Sequence, residues 1–425
     1  MSQSTNTAPR HAKRTIDQVD VRGRRVLMRV DFNVPLAGDR ITDDRRIVLA
    51  LPSIRSVLQR GGRLVLMSHF GRPSGKGPEP EFSLAPARAR LAELLSMPGL
   101  KLAPDCVGPQ VDVAVAALRD GECLLLENLR FHAEETLIDS AKKNSDRKPT
   151  PEQAASIDAF AAALARNADL YCNDAFGACH RRHVSLYDVP MKLGPGRRVC
   201  GLLVEKELRF LGAALASPAR PFAAILGGAK VSDKIGVIEQ LLPKVDHLLI
   251  GGAMAYTFAA ARGARIGRSR CEPEKLDLAR DLLNRGGDKL HLPVDSLCAE
   301  KIAADAAVTT AEADIADRLM GLDIGPRTID SFGRVIRAAR TIVWNGPMGV
   351  FETPPFDRGT LAVARAVADG TAAGATSVIG GGDSAAAVDA AGLAERMSHI
   401  STGGGASLEF LEGKPFKTLE ILDDA

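Results

Sequence analysis

The sequence predicts an α/β protein of two domains, each a parallel sheet flanked by helices, and three observations carry that reading. Strand-like apolar runs alternate with helical segments along nearly the whole chain. At 425 residues the chain is too long for one ordinary core. Near its middle, VCGLLVEKELRFLGAALASPARPF has helical apolar spacing from Leu202 to Leu215, and Ser217, Pro218 and Pro221 then stop the helix. This segment, 200–216, reads as a connecting helix between the two halves.

Composition narrows the function. Apolar residues make up 45% and charged residues 25%, the balance of a globular chain in water. The 55 basic and 52 acidic residues leave +3, so no global field favours nucleic acid or a membrane surface. No apolar run reaches transmembrane length. Residues 1–13 lack an apolar signal core and read as a disordered tail. The seven cysteines are odd in number and form no C-x-x-C pair, which suits reduced thiols in the cytoplasm.

In the N-terminal half, RRVLMRVDFNVP ends its apolar run in Asp31 and Asn33, and RLVLMSHFGRP ends in His69 and Arg72. CLLLENLRF ends in Arg130, and LYCNDAFGACHRRH in His180, Arg181, Arg182 and His183. Strands of a parallel sheet point one way, so these ends gather on one edge, where doubly wound folds bind ligands. One such Arg or His reads as solvated surface; at the ends of several strands they read as converging cations. Guanidinium forks match carboxylate and phosphate. Aromatics at 4% argue against a nucleic-acid groove, so the expected ligand is a small, multiply charged anion. The segment 135–153, ETLIDSAKKNSDRKPTPEQ, is polar and contains Pro149 and Pro151; it reads as an exposed insertion dispensable for chemistry.

The C-terminal half ends its strands in glycine. FAAILGGAKVSDK, HLLIGGAMAY, TSVIGGGDSAAAV and SHISTGGGASLEFL each run from apolar residues through glycines into a helical pattern, and TIVWNGPMGVFE ends in a Gly/Pro turn. Glycine lets backbone approach a ligand, and a helix N-terminus favours an anion. One such turn has a plain structural reading, with Asp383 or Ser384 as N-cap. Four on one edge suggest a polyphosphate or nucleotide. Lys230 and Lys234, four apart, share one face if the helix begins after the glycines. Asp383 is the natural Mg²⁺ ligand, because Mg²⁺ on nucleotide phosphates takes one or two protein carboxylates.

Other motifs are weaker. No Walker A sequence occurs. Gly380, Gly382 and Ala385 fit G-x-G-x-x-A, but late in the chain and with no acidic residue ending a plain second strand. Cys172, Cys179, His180 and His183 match no common zinc spacing, and Cys179 reads as packing.

RVDFNVP (29–35), SHFGRP (68–73), ENLRF (127–131), NDAFGACHRRH (173–183), LGGAKVSDK (226–234), WNGPMGVFE (344–352), GGGDS (380–384) and STGGGASLEFLEG (401–413) together resemble phosphoglycerate kinase, in order over residues 14–413. The resemblance implies two Rossmann-like domains joined by the connecting helix across a cleft. The triose domain spans 14–199 and the nucleotide domain 217–405; 406–425 is a C-terminal segment returning to the first domain. It implies 3-phosphoglycerate or 1,3-bisphosphoglycerate at Asp31, Asn33, Arg46, His69, Arg72, Arg130, His180 and Arg181. It implies Mg-ADP or Mg-ATP at Gly228, Ala229, Lys230, Lys234, Gly252, Gly321, Asn345, Glu352, Gly381, Gly382, Asp383 and Ser384. Arg46, Lys230, Gly381 and Gly404 are the expected catalytic positions, with Gly403 beside Gly404 and Asp383 on the metal. The implied enzyme is a cytoplasmic, hinge-bending monomer with no nucleic-acid or membrane partner.

Departures from the family pattern are Arg182, where a small residue is usual, Ala178-Cys179, the long 135–153 region, and KPFKTLEIL near the end. Arg182 could add a cation near the triose. The acceptor in the reverse reaction is a carboxylate, already ionised near neutral pH, so no general base is required. A dehydrogenase using G-x-G-x-x-A and a catalytically inactive nucleotide-binding scaffold are the rival readings.

Overall fold

The structure is a computed structural model describing residues 12–139 and 148–425. Most of the expected N-terminal tail, 1–11, and the middle of the 135–153 segment, 140–147, lie outside the described residues. Lys13 departs from the tail reading. Its backbone bridges to Asp424, and its ammonium donates to Leu422 O and the Asp424 carboxylate, each at 2.8 Å.

Contacts divide the chain into two units, Met1–Arg209 with Pro415–Ala425, and Phe210–Lys414. The division falls inside the helix Leu202–Ala216. The segment expected as one piece from 406 onward splits. The helix Gly405–Leu411 packs on the helix Ile235–Leu241 in the second unit, and the chain rejoins the first unit at Pro415.

The first unit has a six-stranded sheet ordered Lys101–Leu102, Cys123–Leu125, Arg63–Met67, Arg25–Val30, Leu170–Asp174, Arg198–Cys200. Every pairing is parallel, with Leu27 opposite Val65 on one side and Tyr171 on the other. Helices cover the sheet, so its central strands are buried almost continuously rather than on alternate residues. Val26, Met28 and Val30 pack with Ile47, Ile54 and Leu91 in its core.

The second unit repeats this plan with Leu290–His291, His247–Ile250, Phe222–Leu226, Thr341–Asn345, Thr376–Gly380 and His399–Ile400, again all parallel. Trp344 and Ile379 anchor its core against Phe332 and Val367. A small antiparallel sheet, Thr309–Ala311, Ser296–Ala299 and Met320–Ile324, belongs to the same unit.

The 135–153 reading needs correction at both ends. Glu135 is fully buried. At the far end Thr150 caps the helix Pro151–Ala165, exchanging hydrogen bonds with Gln153 in a capping box.

Candidate active site

In the first unit the parallel sheet delivers its strand ends to one edge, and loop-to-loop hydrogen bonds fix their spacing. Asp31 follows Arg25–Val30, and its Oδ1 accepts from Asn33 N at 3.2 Å. Asn33 Oδ1 accepts from Gly71 N at 2.9 Å, and Gly71 O accepts from Arg130 Nη1 at 2.6 Å. Three strand ends are thereby tied together. Arg46, in the first turn of the helix Arg45–Gln59, reaches both Asp31 oxygens and Asn33 O from Nη1, all at 3.1 Å. Arg181 donates to Asp139 Oδ2 at 3.2 Å. Arg72 lies exposed on its loop after Arg63–Met67.

The cluster holds buried polar atoms that the described residues leave unsatisfied. Arg130 Nε, His180 Nδ1 and His183 Nδ1 are buried without a hydrogen-bond partner among the described residues. Burial first, then the Arg29 charge, pulls the Arg130 pKa below its ordinary value. A guanidinium in that setting is relieved by an incoming anion.

The histidines correct the sequence reading of converging cations. Burial pushes His69 well below the ordinary imidazole range, and Arg29, Arg130, His183 and Arg46 push it further. His180 is lowered to about 4, by burial and then Arg181. Both are neutral at pH 7, so the positive charge of this edge is carried by arginine. Arg182 does not add to it: it pairs with both Asp188 oxygens at 3.1 and 3.0 Å and lies over the Tyr187 ring.

Sequence reasoning missed Arg29, Glu135, Asp139 and Ser185 as parts of this site. An arginine inside the apolar strand RVLMRV was the available signal for Arg29: it is fully buried. Nothing local distinguished Glu135 from a solvated loop acid.

In the second unit the turns after Phe222–Leu226, His247–Ile250 and Thr341–Asn345 pack backbone against backbone. Gly228 N donates to Pro347 O at 3.1 Å and Gly252 N to Met348 O at 2.9 Å. A Cβ on Gly252 would stand 2.5 Å from Gly228 N, and φ there is +67°, so only glycine suits. Ala229 is exposed beside Gly228, and Glu352 is exposed in the turns after Thr341–Asn345.

The helix after LGGAK starts later than expected, at Ile235 with Lys234 as N-cap residue. Lys230 therefore sits in the preceding turn, and the two lysines do not share a helix face. Glu272 holds that turn by accepting from Ser232 N at 3.1 Å and Ser232 Oγ at 2.5 Å. Lys230 is exposed. Lys234 is largely buried and donates to Asn345 Oδ1; burial lowers its pKa, against the nearby Asp233 and Asp383 charges.

The N-cap of the helix Gly382–Ala390 is Gly381, at φ +90°, in place of Asp383 or Ser384. Asn345, itself buried, lies against this turn: a Cβ on Gly381 would be 3.1 Å from Asn345 Nδ2. Asp383 is exposed in the first helical turn. Ser384 is fully buried, and its Oγ accepts from Gly346 N at 2.6 Å, which joins two strand-end turns. Gly404 caps Gly405–Leu411, and Gly403 N donates to Ser401 Oγ at 3.1 Å. Gly321 lies on the antiparallel sheet rather than the parallel edge. It meets Tyr256, on the helix following Gly252: a Cβ there would be 2.1 Å from Tyr256 Oη.

A resident metal finds weaker support elsewhere. Among the described residues, Asp105, Cys106 and His132 bring three ligand atoms within 4.8 Å. His132 Nε2 and Asp105 Oδ1 already bond each other at 2.7 Å, and burial holds the Cys106 thiol protonated. Those contacts already occupy the ligand atoms of His132 and Asp105. Cys172 and Cys179 are buried thiols raised by desolvation, Cys179 to about 12.

The comparisons with known proteins agree with one another. A family model described as phosphoglycerate kinase matches residues 16–414. A phosphoglycerate kinase of Rhodopirellula baltica is 53% identical across 97% of this chain and 100% of its own length. One from Chlorobium chlorochromatii is 52% identical, with the same coverage. The solved phosphoglycerate kinase of Coxiella burnetii has a TM-score of 0.82 at 37% identity, covering 96% of this chain and 98% of the other. That of Pyrococcus horikoshii scores 0.79 at 30% identity with the same coverage.

Proposed function

The chain belongs to the phosphoglycerate kinase family and catalyses reversible phosphoryl transfer between 1,3-bisphosphoglycerate and ADP, and from that premise we propose how its residues divide the work. The arginine edge of the first unit takes the triose. Arg130, Arg181 and Arg72 bind its anionic groups, His69 and His180 act as neutral partners, and Asp31 and Asn33 hold the loops and Arg46. The observation that carries this reading is the set of buried polar atoms with no hydrogen-bond partner among the described residues, Arg130 Nε and His180 Nδ1 among them.

The glycine edge of the second unit takes the nucleotide. Gly228, Ala229, Gly252 and Gly321 flank a surface for the base, with Glu352 nearby. Lys230, Lys234, Gly381, Gly382, Gly403 and Gly404 meet the phosphates. Asn345 positions Lys234, and Ser384 secures the turn from within. Asp383 holds Mg²⁺. The residues fit that ion: a single exposed carboxylate follows a glycine N-cap, where phosphate oxygens would complete an oxygen shell. Bound there, Mg²⁺ would neutralise phosphate charge.

No proton transfer is needed, because the acceptor is a carboxylate in one direction and an ADP phosphate in the other. Catalysis then rests on alignment and charge. Direct transfer requires the two substrates to meet with water excluded from the acyl phosphate. In that state Arg46 and Lys230 stabilise the transferring group. One chain supplies donors for both substrates, so a monomer can be complete. Seven free cysteines, six of them buried, suit the reducing cytoplasm. Among the described residues no helix is long and apolar enough to cross a membrane.

A coupled assay supplying 1,3-bisphosphoglycerate and Mg-ADP tests the reading through ATP formation. Arg130→Ala should lose 3-phosphoglycerate binding while keeping ADP binding. Binding of NAD in preference to ADP, or no turnover by folded protein, would overturn it.

A further inference from the structure

Arg29 is an unusual residue for the centre of a sheet. It is fully buried in the strand Arg25–Val30, and each arm of its guanidinium is engaged. Nε donates to Ser185 Oγ at 2.9 Å, Nη1 to Val30 O, and Nη2 approaches His69 Nδ1 at 3.1 Å. A guanidinium can only donate. His69 Nδ1 must therefore be the acceptor, which leaves the imidazole neutral with its proton on Nε2.

What keeps Arg29 there is a second buried charge. Glu135 is also fully buried, with Oε1 3.8 Å from Arg29 Nη2 and 3.7 Å from His183 Nδ1. Its carboxylate is fixed by Ser185, which donates from N at 2.9 Å to Oε2 and from Oγ at 2.7 Å to Oε1. The Ser185 hydroxyl thus donates to Glu135 and accepts from Arg29. Ser185 is itself held, because its carbonyl accepts from Tyr171 Oη at 2.9 Å.

We infer that Glu135 is a positioning residue of the triose site, acting through Ser185 and Arg29 to hold His69 as the Nε2–H tautomer. The inference rests on the assignment of His69 to the triose. A buried guanidinium without its counter-charge is strongly disfavoured. With Glu135 neutral, Arg29 would turn toward water or other acceptors and release His69 Nδ1. Either imidazole nitrogen could then carry the proton, and the donor offered to the substrate would no longer be fixed.

The test uses full-length protein labelled with ¹⁵N at histidine, with the His69 signals assigned from His69→Gln. The wild type should show the Nε2–H pattern at pH 7.5. Glu135→Gln should show a mixture of tautomers and raise KM for 3-phosphoglycerate at least ~10-fold, since small misplacements weaken oriented contacts. Its ADP affinity should be unchanged, and Glu135→Asp should recover part of the loss. Ser185→Ala should move the same readouts in the same direction, and it decides the question if Glu135→Gln does not fold. An unchanged His69 pattern in a folded variant, or equal losses of ADP and 3-phosphoglycerate binding, would overturn the inference. A wild-type His69 signal that ignores saturating 3-phosphoglycerate would overturn the site assignment instead, even with the tautomer shift intact in Glu135→Gln.

Discussion

Arg46 holds both carboxylate oxygens of Asp31 from a single guanidinium nitrogen, each at 3.1 Å. The pair fastens the first turn of the helix Arg45–Gln59 to the end of the strand Arg25–Val30. A side chain restrained this way loses little freedom when a substrate arrives, which suits a transition-state role.

Arg46→Ala should therefore lower kcat more than it weakens ground-state binding of either substrate. Cations that stabilise transferring phosphoryl groups contribute about 10³ to 10⁵ in rate, so a loss of at least ~10² is expected. Arg46→Lys should restore only part, because an ammonium lacks the fork. Lys230→Ala should act alike, and the double variant should lose less than the product of the two. Steady-state kinetics in both directions check this. Full kcat with only a raised KM for 3-phosphoglycerate would make Arg46 an anchor.

Asp383→Ala should weaken Mg-ADP binding and turnover while leaving 3-phosphoglycerate affinity unchanged. Asp383 is exposed in a helical first turn and is not the N-cap, so its removal leaves the fold unaffected. Titration of ADP with and without Mg²⁺ decides it. An undiminished effect of Mg²⁺ on ADP affinity in the variant would remove Asp383 from the metal.

Replacing residues 140–148 with a short Gly/Ser link should leave kcat within a few-fold. Extending the replacement back to 135 should not be tolerated, because it deletes the buried Glu135 and the Asp139 partner of Arg181. Removing one partner of a buried ion pair destabilises by about 3–5 kcal/mol. Thermal denaturation of the two variants distinguishes the cases, and equal stability would contradict the network.

Asp174 makes the stability of the first unit depend on pH. Its Oδ1 accepts from Leu203 N at 2.9 Å and Val204 N at 3.3 Å at the start of the helix Leu202–Ala216, while Oδ2 is buried without a well-formed hydrogen bond among the described residues. Burial raises its pKa to about 6, from 3.8. A raised folded-state pKa means the folded form holds the proton more tightly. The contribution is therefore full below about pH 4 and disappears as pH rises through about 6. At roughly 1.4 kcal/mol per pH unit the loss is on the order of 3 kcal/mol. Asp174→Asn, which mimics the protonated acid, should flatten the fall of the denaturation midpoint between those pH values. An identical slope in wild type and variant would show that Asp174 is ionised in the fold.

The sequence by itself determined where the chemistry-bearing turns lie. An apolar run followed by Asp31, His69 or Arg130, or by Gly228, Gly252 or Gly381, is a strand ending in a turn. Parallel pairing then puts the turns of each sheet on one edge of that sheet, because strand direction follows from local alternation of strand and helix. Charge state and partnership were decided only by tertiary structure. Arg29 and Ser185 are 156 residues apart, and Lys234 and Asn345 are 111 apart, yet each pair is bonded. Whether His69 is an imidazolium, whether Arg182 serves the site or Asp188, and whether Glu135 is solvated or sealed inside all depend on desolvation and on neighbours brought from distant strands. A pKa responds to every charge and every lost water within several ångströms, and sequence order does not record those distances.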